Sequence, residues 1–101
     1  MPARYIYGIV GSKACPTGSW PIVTAVGCEA AAAATQSAAA AAGMTNATYG
    51  GVMPSNGAYP KGCFYYSSGS IMRIGVWLNA HATGAARSTG RLLCDGTYSR
   101  L

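Results

Sequence analysis

The sequence predicts a small α+β domain: one alanine-rich helix packed on a small antiparallel sheet and held by two disulfides. Three observations carry this. Two alanine blocks lie between a capping threonine, Thr24, and a glycine stop, Gly43. β-prone runs at residues 63–66, 71–79 and 91–94 are separated by turn residues. Four cysteines, Cys15, Cys28, Cys63 and Cys94, include no Cys-x-x-Cys pair.

The elements follow in chain order. Residues 1–14 form an entry arm carrying Tyr5, Ile6, Tyr7, Ile9 and Val10, either a short strand or a segment lying on another chain. Gly8 and Gly11 weaken it as an independent strand. Cys15 to Ser19 is turn material around Pro16 and Gly18. Trp20 is extended, because Pro21 disfavours helix in the residue before it. Thr24 then caps a helix predicted over 25–42, with Glu29 early in it, where a negative charge suits the helix dipole. Residues 44–62 read as a long loop, with Gly50-Gly51, Pro54, Asn56-Gly57 and Pro60. The sequon Asn46-Ala47-Thr48 makes Asn46 a candidate glycosylation site.

Residues 63–79 predict a hairpin turning at Ser67 to Ser70. In its second arm Met72, Ile74, Val76 and Leu78 share one face, under the helix, and Arg73 and Trp77 share the other. Residues 79–90 are small and polar and read as loop. Residues 91–94 make a last short strand, and 96–101 a tail. The domain proper is therefore 15–95.

Composition narrows the function. The chain has 101 residues, which sets one domain near the small end of what folds alone. Half the residues are hydrophobic, but nineteen are alanine, so the core is thin and needs a staple. With a single histidine, His81, a zinc set is poorly furnished. Disulfides fit the cysteines better than zinc or isolated structural thiols. Disulfides in turn imply an oxidising compartment. The segment from Met1 to Tyr7 has no signal-peptide apolar region, so Met1 is expected not to be the precursor start, the alternative being reduced thiols. Five arginines and two lysines against Glu29 and Asp95 give a net charge of +5 without any basic run. Such a surface favours an acidic partner.

The helix would span about 27 Å, close to a bilayer core, but Thr35-Gln36-Ser37 at its centre argues against a membrane span. Membrane contact is expected only through partners. His81 and Asp95 could be written into a catalytic triad, but no Gly-x-Ser-x-Gly elbow accompanies them. The expectation is no enzyme, no cofactor and no metal. His81 is expected to be a loop histidine held by a backbone hydrogen bond. Lys61-Gly62-Cys63-Phe64-Tyr65-Tyr66 resembles the base-stacking strand of an RNA-recognition domain. That fold needs two helices and only one is visible, so nucleic-acid binding is not expected. Tyr65, Tyr66, Trp77, Asn79 and Asn56 could together face a glycan.

Four segments in this order carry a family resemblance: Cys28-Glu29-Ala30-Ala31-Ala32, Pro60-Lys61-Gly62-Cys63-Phe64-Tyr65-Tyr66, Asn79-Ala80-His81-Ala82-Thr83-Gly84 and Leu92-Leu93-Cys94. Together, over about residues 15–95, they resemble a small cysteine-containing module that recurs, often in tandem, in proteins of dinoflagellates and other microalgae. The resemblance implies fold and lineage, not catalysis. Two departures stand out: the helix is longer here, and Leu78 precedes Asn79 where that module favours an aromatic. The cysteine placement resembles the PAN/apple plan more distantly. By that analogy Cys28 pairs with Cys63 and Cys15 with Cys94.

The resulting expectation is a non-enzymatic interaction module, a small peripheral subunit stabilising a larger assembly with an acidic surface. Through the lineage, the assembly is expected to be an algal photosynthetic membrane complex, with the chain in the thylakoid lumen or outside the cell. A secreted or cell-surface glycan-binding module is the alternative. The partner contacts are expected from Tyr5, Ile6, Tyr7, Ile9, Val10, Arg4 and Arg100.

Overall fold

The structure, a computed structural model, describes residues 4–67 and 74–96. Its elements are β1 (Tyr5–Tyr7), β2 (Trp20–Pro21), α1 (Ala25–Ala41), β3 (Tyr49–Met53), β4 (Pro60–Tyr66), β5 (Gly75–Gly84) and β6 (Gly90–Asp95). The fold is α+β, one helix on a mixed sheet with strand order β1-β6-β4-β5-β3. Strand β2 pairs with the end of β6, Trp20 opposite Asp95, and the chain continues toward β4 through a bond from Cys63 N–H to Ile22 O (2.8 Å).

The helix forms where its caps place it. The Thr24 hydroxyl accepts from Gly27 N–H (3.1 Å). At the other end Gly43 takes φ 83°, which lets Gly43 N–H reach Ala40 O and Met44 N–H reach Ala39 O. This is a Schellman closure, and it requires the left-handed conformation that glycine adopts freely. Glu29 falls in the second turn, and the first turn holds no acidic residue. Cys28, Ala31, Ala32 and Ala39 are buried at helical spacing against the sheet. No helix among the described residues is long and apolar enough to cross a membrane.

Alternation along the strands builds two apolar layers. On the helix side lie Cys63, Tyr65, Val76, Leu78 and Leu93, with Ile74 packed against them. On the opposite side lie Phe64, Tyr66, Leu92 and Cys94, with Tyr59 and part of Trp77. Ile74, Val76 and Leu78 thus share the face expected of them, opposite Trp77. Met72, Arg73 and the turn at 68–70 lie outside the described residues, as does the tail from 97. The disulfides are Cys15–Cys94 and Cys28–Cys63, with Cα separations of 6.0 and 5.3 Å. Each staples a different face of the sheet, the second through the helix.

Four expectations need correction. The sheet is mixed rather than antiparallel, because β5 inserts between β4 and β3 and runs parallel to β3. The segment 44–62 contains β3, whose Gly50-Gly51 pair makes an irregularity in the ladder and does not end it. Residues 79–84 continue β5 rather than forming a loop: Asn79 pairs with Gly62 and Gly84 with Pro60. Finally, part of the entry arm belongs to the domain's own sheet, since β1 pairs antiparallel with β6 from Tyr5–Asp95 to Tyr7–Leu93.

Candidate interaction surface

The cysteines, Asp95 and His81 are engaged in contacts within the fold. All four cysteines are in disulfides. Asp95 accepts from Arg4 across the β1–β6 pair, with Nη2 3.2 Å from Oδ2. His81 Nδ1 accepts from Gly84 N–H (2.9 Å) and Thr83 N–H (3.2 Å), which places its proton on Nε2. No group of three or more histidine, cysteine or acidic residues gathers among the described residues.

Asn79 is the polar hub of the interior, 1% exposed. Its Nδ2 donates to the carbonyls of Asn56, Tyr59 and Pro60 at 2.8–3.0 Å. Its Oδ1 accepts from Asn56 N–H (3.1 Å) and His81 N–H (3.2 Å). One side chain thereby ties the 54–60 loop to β5. The residues considered for a glycan do not share a face. Tyr65 and Tyr66 are buried on opposite sides of the sheet, and the Asn79 amide is consumed internally. Burial also leaves the rings of β4 with no base-stacking surface.

Tyrosine hydroxyls report the same packing. Burial pushes the Tyr7, Tyr59 and Tyr65 hydroxyls above their ordinary range. Tyr65 donates to Thr45 O (2.7 Å), and its ring meets Tyr7 edge to face at 6.4 Å. The described arginines also bind within the chain. Arg4 lies over Tyr5, Arg87 over Tyr59 at 4.5 Å, and Arg91 Nε donates to Gly8 O (3.0 Å).

The expected partner residues separate into three groups. Tyr5 and Tyr7 are half-buried against the helix side, and Arg4 is engaged by Asp95. Ile6, Ile9 and Val10 remain exposed, Ile9 at 75%. Arg100 lies outside the described residues. Asn46 is exposed, sits at φ 54°, and its Nδ2 donates to Ile74 O (2.8 Å).

A second exposed apolar group was not anticipated from the sequence. Trp20, Val23 and Val26 are 42%, 56% and 80% exposed around the start of α1. A groove of about 420 Å³ lies here, lined by Trp20, Pro21, Val23 and Gly27, with the Arg4–Asp95 pair at its rim. Helical phase is the signal that would have found Val26. The buried positions 28, 31, 32 and 39 leave residue 26 on the outside of the first turn.

The fold and site define a two-disulfide α+β module whose described surface carries exposed apolar groups. Compared with known proteins, the chain matches no family model, no curated protein and no solved structure.

Proposed function

We propose that this chain is a non-enzymatic docking module, a small peripheral subunit that clamps onto a larger assembly. The observation that carries the proposal is the exposed cluster of Trp20, Val23 and Val26 beside its groove. Apolar side chains grouped on a small, stapled domain mark an interaction site, whereas singly scattered ones do not. The commitment of His81, Asp95 and the cysteines to structural contacts supports the same reading.

Two disulfides fit an oxidising compartment. The resemblance to the microalgal module adds the finer part of the proposal: a photosynthetic membrane complex, engaged from the thylakoid lumen. The experiment is to isolate pigment–protein particles from an alga bearing the tagged chain, in mild detergent, and to compare wild type with Val26→Asp. The proposal expects the wild-type chain to migrate with the particle and the variant to be depleted from it. A wild-type chain recovered free of any large assembly would overturn it. A chain recovered in a pigment-free assembly would overturn the photosynthetic part alone.

A further inference from the structure

The two ends of the sheet are built differently. Strand β3 carries a ladder irregularity, Gly51 at φ 126° and Pro54 just beyond, features that blunt a sheet edge against further pairing. Strand β1 has none of these. Its inward bonds run from Gly8 N–H to Leu92 O and from Gly96 N–H to Arg4 O, both 2.8 Å or shorter. Backbone direction alternates along a strand, so Arg4, Ile6 and Gly8 turn their peptide groups toward β6, and Tyr5 and Tyr7 turn theirs outward. Among the described residues no strand pairs with that outer edge.

A groove of about 330 Å³ runs beside the same edge. Tyr5 and Tyr7 line it from the sheet, Ala38 and Ala42 from the helix, and Met44 from the turn after it. The alanines are exposed and small, leaving room for side chains from outside. Among the described residues, Arg91 is the one charged residue lining the groove. A second copy of this chain would bring another +5 to the edge, whereas a carboxylate would complement Arg91.

We infer that the outer edge of β1 receives an extended segment of an acidic partner chain, which joins the sheet as a further strand. Its backbone bonds to the peptide groups of Tyr5 and Tyr7. Its alternate side chains, apolar with a carboxylate near Arg91, enter the groove against Ala38 and Ala42. This inference rests on the docking reading and identifies the chemistry of the partner.

The test is a titration of the isotopically labelled chain, followed by amide exchange, with the peptide acetyl-Glu-Thr-Val-Thr-Val-Thr-Glu-amide. Its groove-facing residues are Glu, Val, Val and Glu in either strand direction. The peptide is expected to slow exchange at Tyr5 and Tyr7. A version with lysine at both glutamates should bind at least about tenfold more weakly. A version N-methylated at every valine and threonine should not protect these amides in either strand direction. Ala38→Asp, at an exposed helix position within the groove, should weaken binding, and Ala33→Asp, exposed elsewhere on the helix, should leave it unchanged. Unchanged Tyr5 and Tyr7 exchange at millimolar acidic peptide would overturn the inference, as would equal binding of the lysine peptide. Protection that grows with protein concentration alone would place a second copy on the edge, and would overturn it too. If the edge fails while the chain still migrates with a large particle, the docking proposal stands and only this inference falls.

Discussion

Replacing Asn79 by alanine is expected to destabilise the domain by about 3–5 kcal/mol. The magnitude follows from what the amide holds. Two of its five bonds, to the carbonyls of Tyr59 and Pro60, are fully buried. Without the amide, Pro60 O loses a buried donor at about 1–2 kcal/mol, whereas Tyr59 O keeps the Ala85 N–H (2.9 Å) and loses about 0.5–1 kcal/mol. The three bonds shared with Asn56 and His81 are partly accessible, and water would restore some of them, for about 0.5 kcal/mol each. The total is a large share of the 5–15 kcal/mol, roughly, that stabilises a domain. Urea unfolding followed by circular dichroism, with the disulfides intact, should show a midpoint lowered by about 1–3 M. Asn79→Asp provides a signed control. A carboxylate would turn a second oxygen toward three carbonyls, so the fold holds the protonated form and raises the carboxyl's pKa. Stability is then fully present below the unfolded value near about 4 and is lost as pH rises through the folded value. The aspartate variant should therefore be less stable at neutral pH than in mild acid, relative to wild type. An alanine variant within about 1 kcal/mol of wild type would refute the role given to Asn79.

The helix contact predicts that Ala32→Leu and Ala39→Leu each cost about 1–3 kcal/mol by overpacking, whereas Ala40→Leu, on the exposed side, stays within about 0.5 kcal/mol in the same unfolding assay. Gly84 sits at φ 65°, and a Cβ there would lie 2.6 Å from Tyr59 O, so Gly84→Ala should cost at least about 2 kcal/mol and lower the thermal midpoint. The raised pKa values of Tyr7, Tyr59 and Tyr65 leave stability unaffected by these groups through neutral pH. It should fall once pH rises past about 10, where the unfolded chain ionises first, and level off above the folded values. A short-exposure denaturant series across that range, showing flat stability, would contradict this.

The helix was legible because its signals are local. Alanine propensity, the Thr24 cap and the Gly43 stop all act within a turn of the residues that carry them. The hairpin's two faces were legible through the alternation of Ile74, Val76 and Leu78. The strands that escaped depend on distant partners. Gly50 and Gly51 have little strand propensity, yet β5 supplies a ladder for them, and the Trp77 ring lies where a Gly50 Cβ would sit, at 2.8 Å. Residues 80–84 are small and polar, and they are extended because Pro60–Gly84 pairing and the Asn79 hub hold them. Tyr5 to Tyr7 carried the apolar signal of a docking arm. Nothing local distinguishes a partner's surface from the chain's own β6. The candidate surface was half visible: Ile9 and Val10 were singled out from the sequence, while Val23 and Val26 were not.

The most direct test of the docking proposal is hydroxyl-radical footprinting of the chain within its native particle and as the isolated, disulfide-intact domain. Trp20, Val23 and Val26 are accessible in the isolated fold. If these side chains dock, their oxidation rates should fall several-fold in the particle. Equal oxidation of all three in both states would contradict docking through this surface.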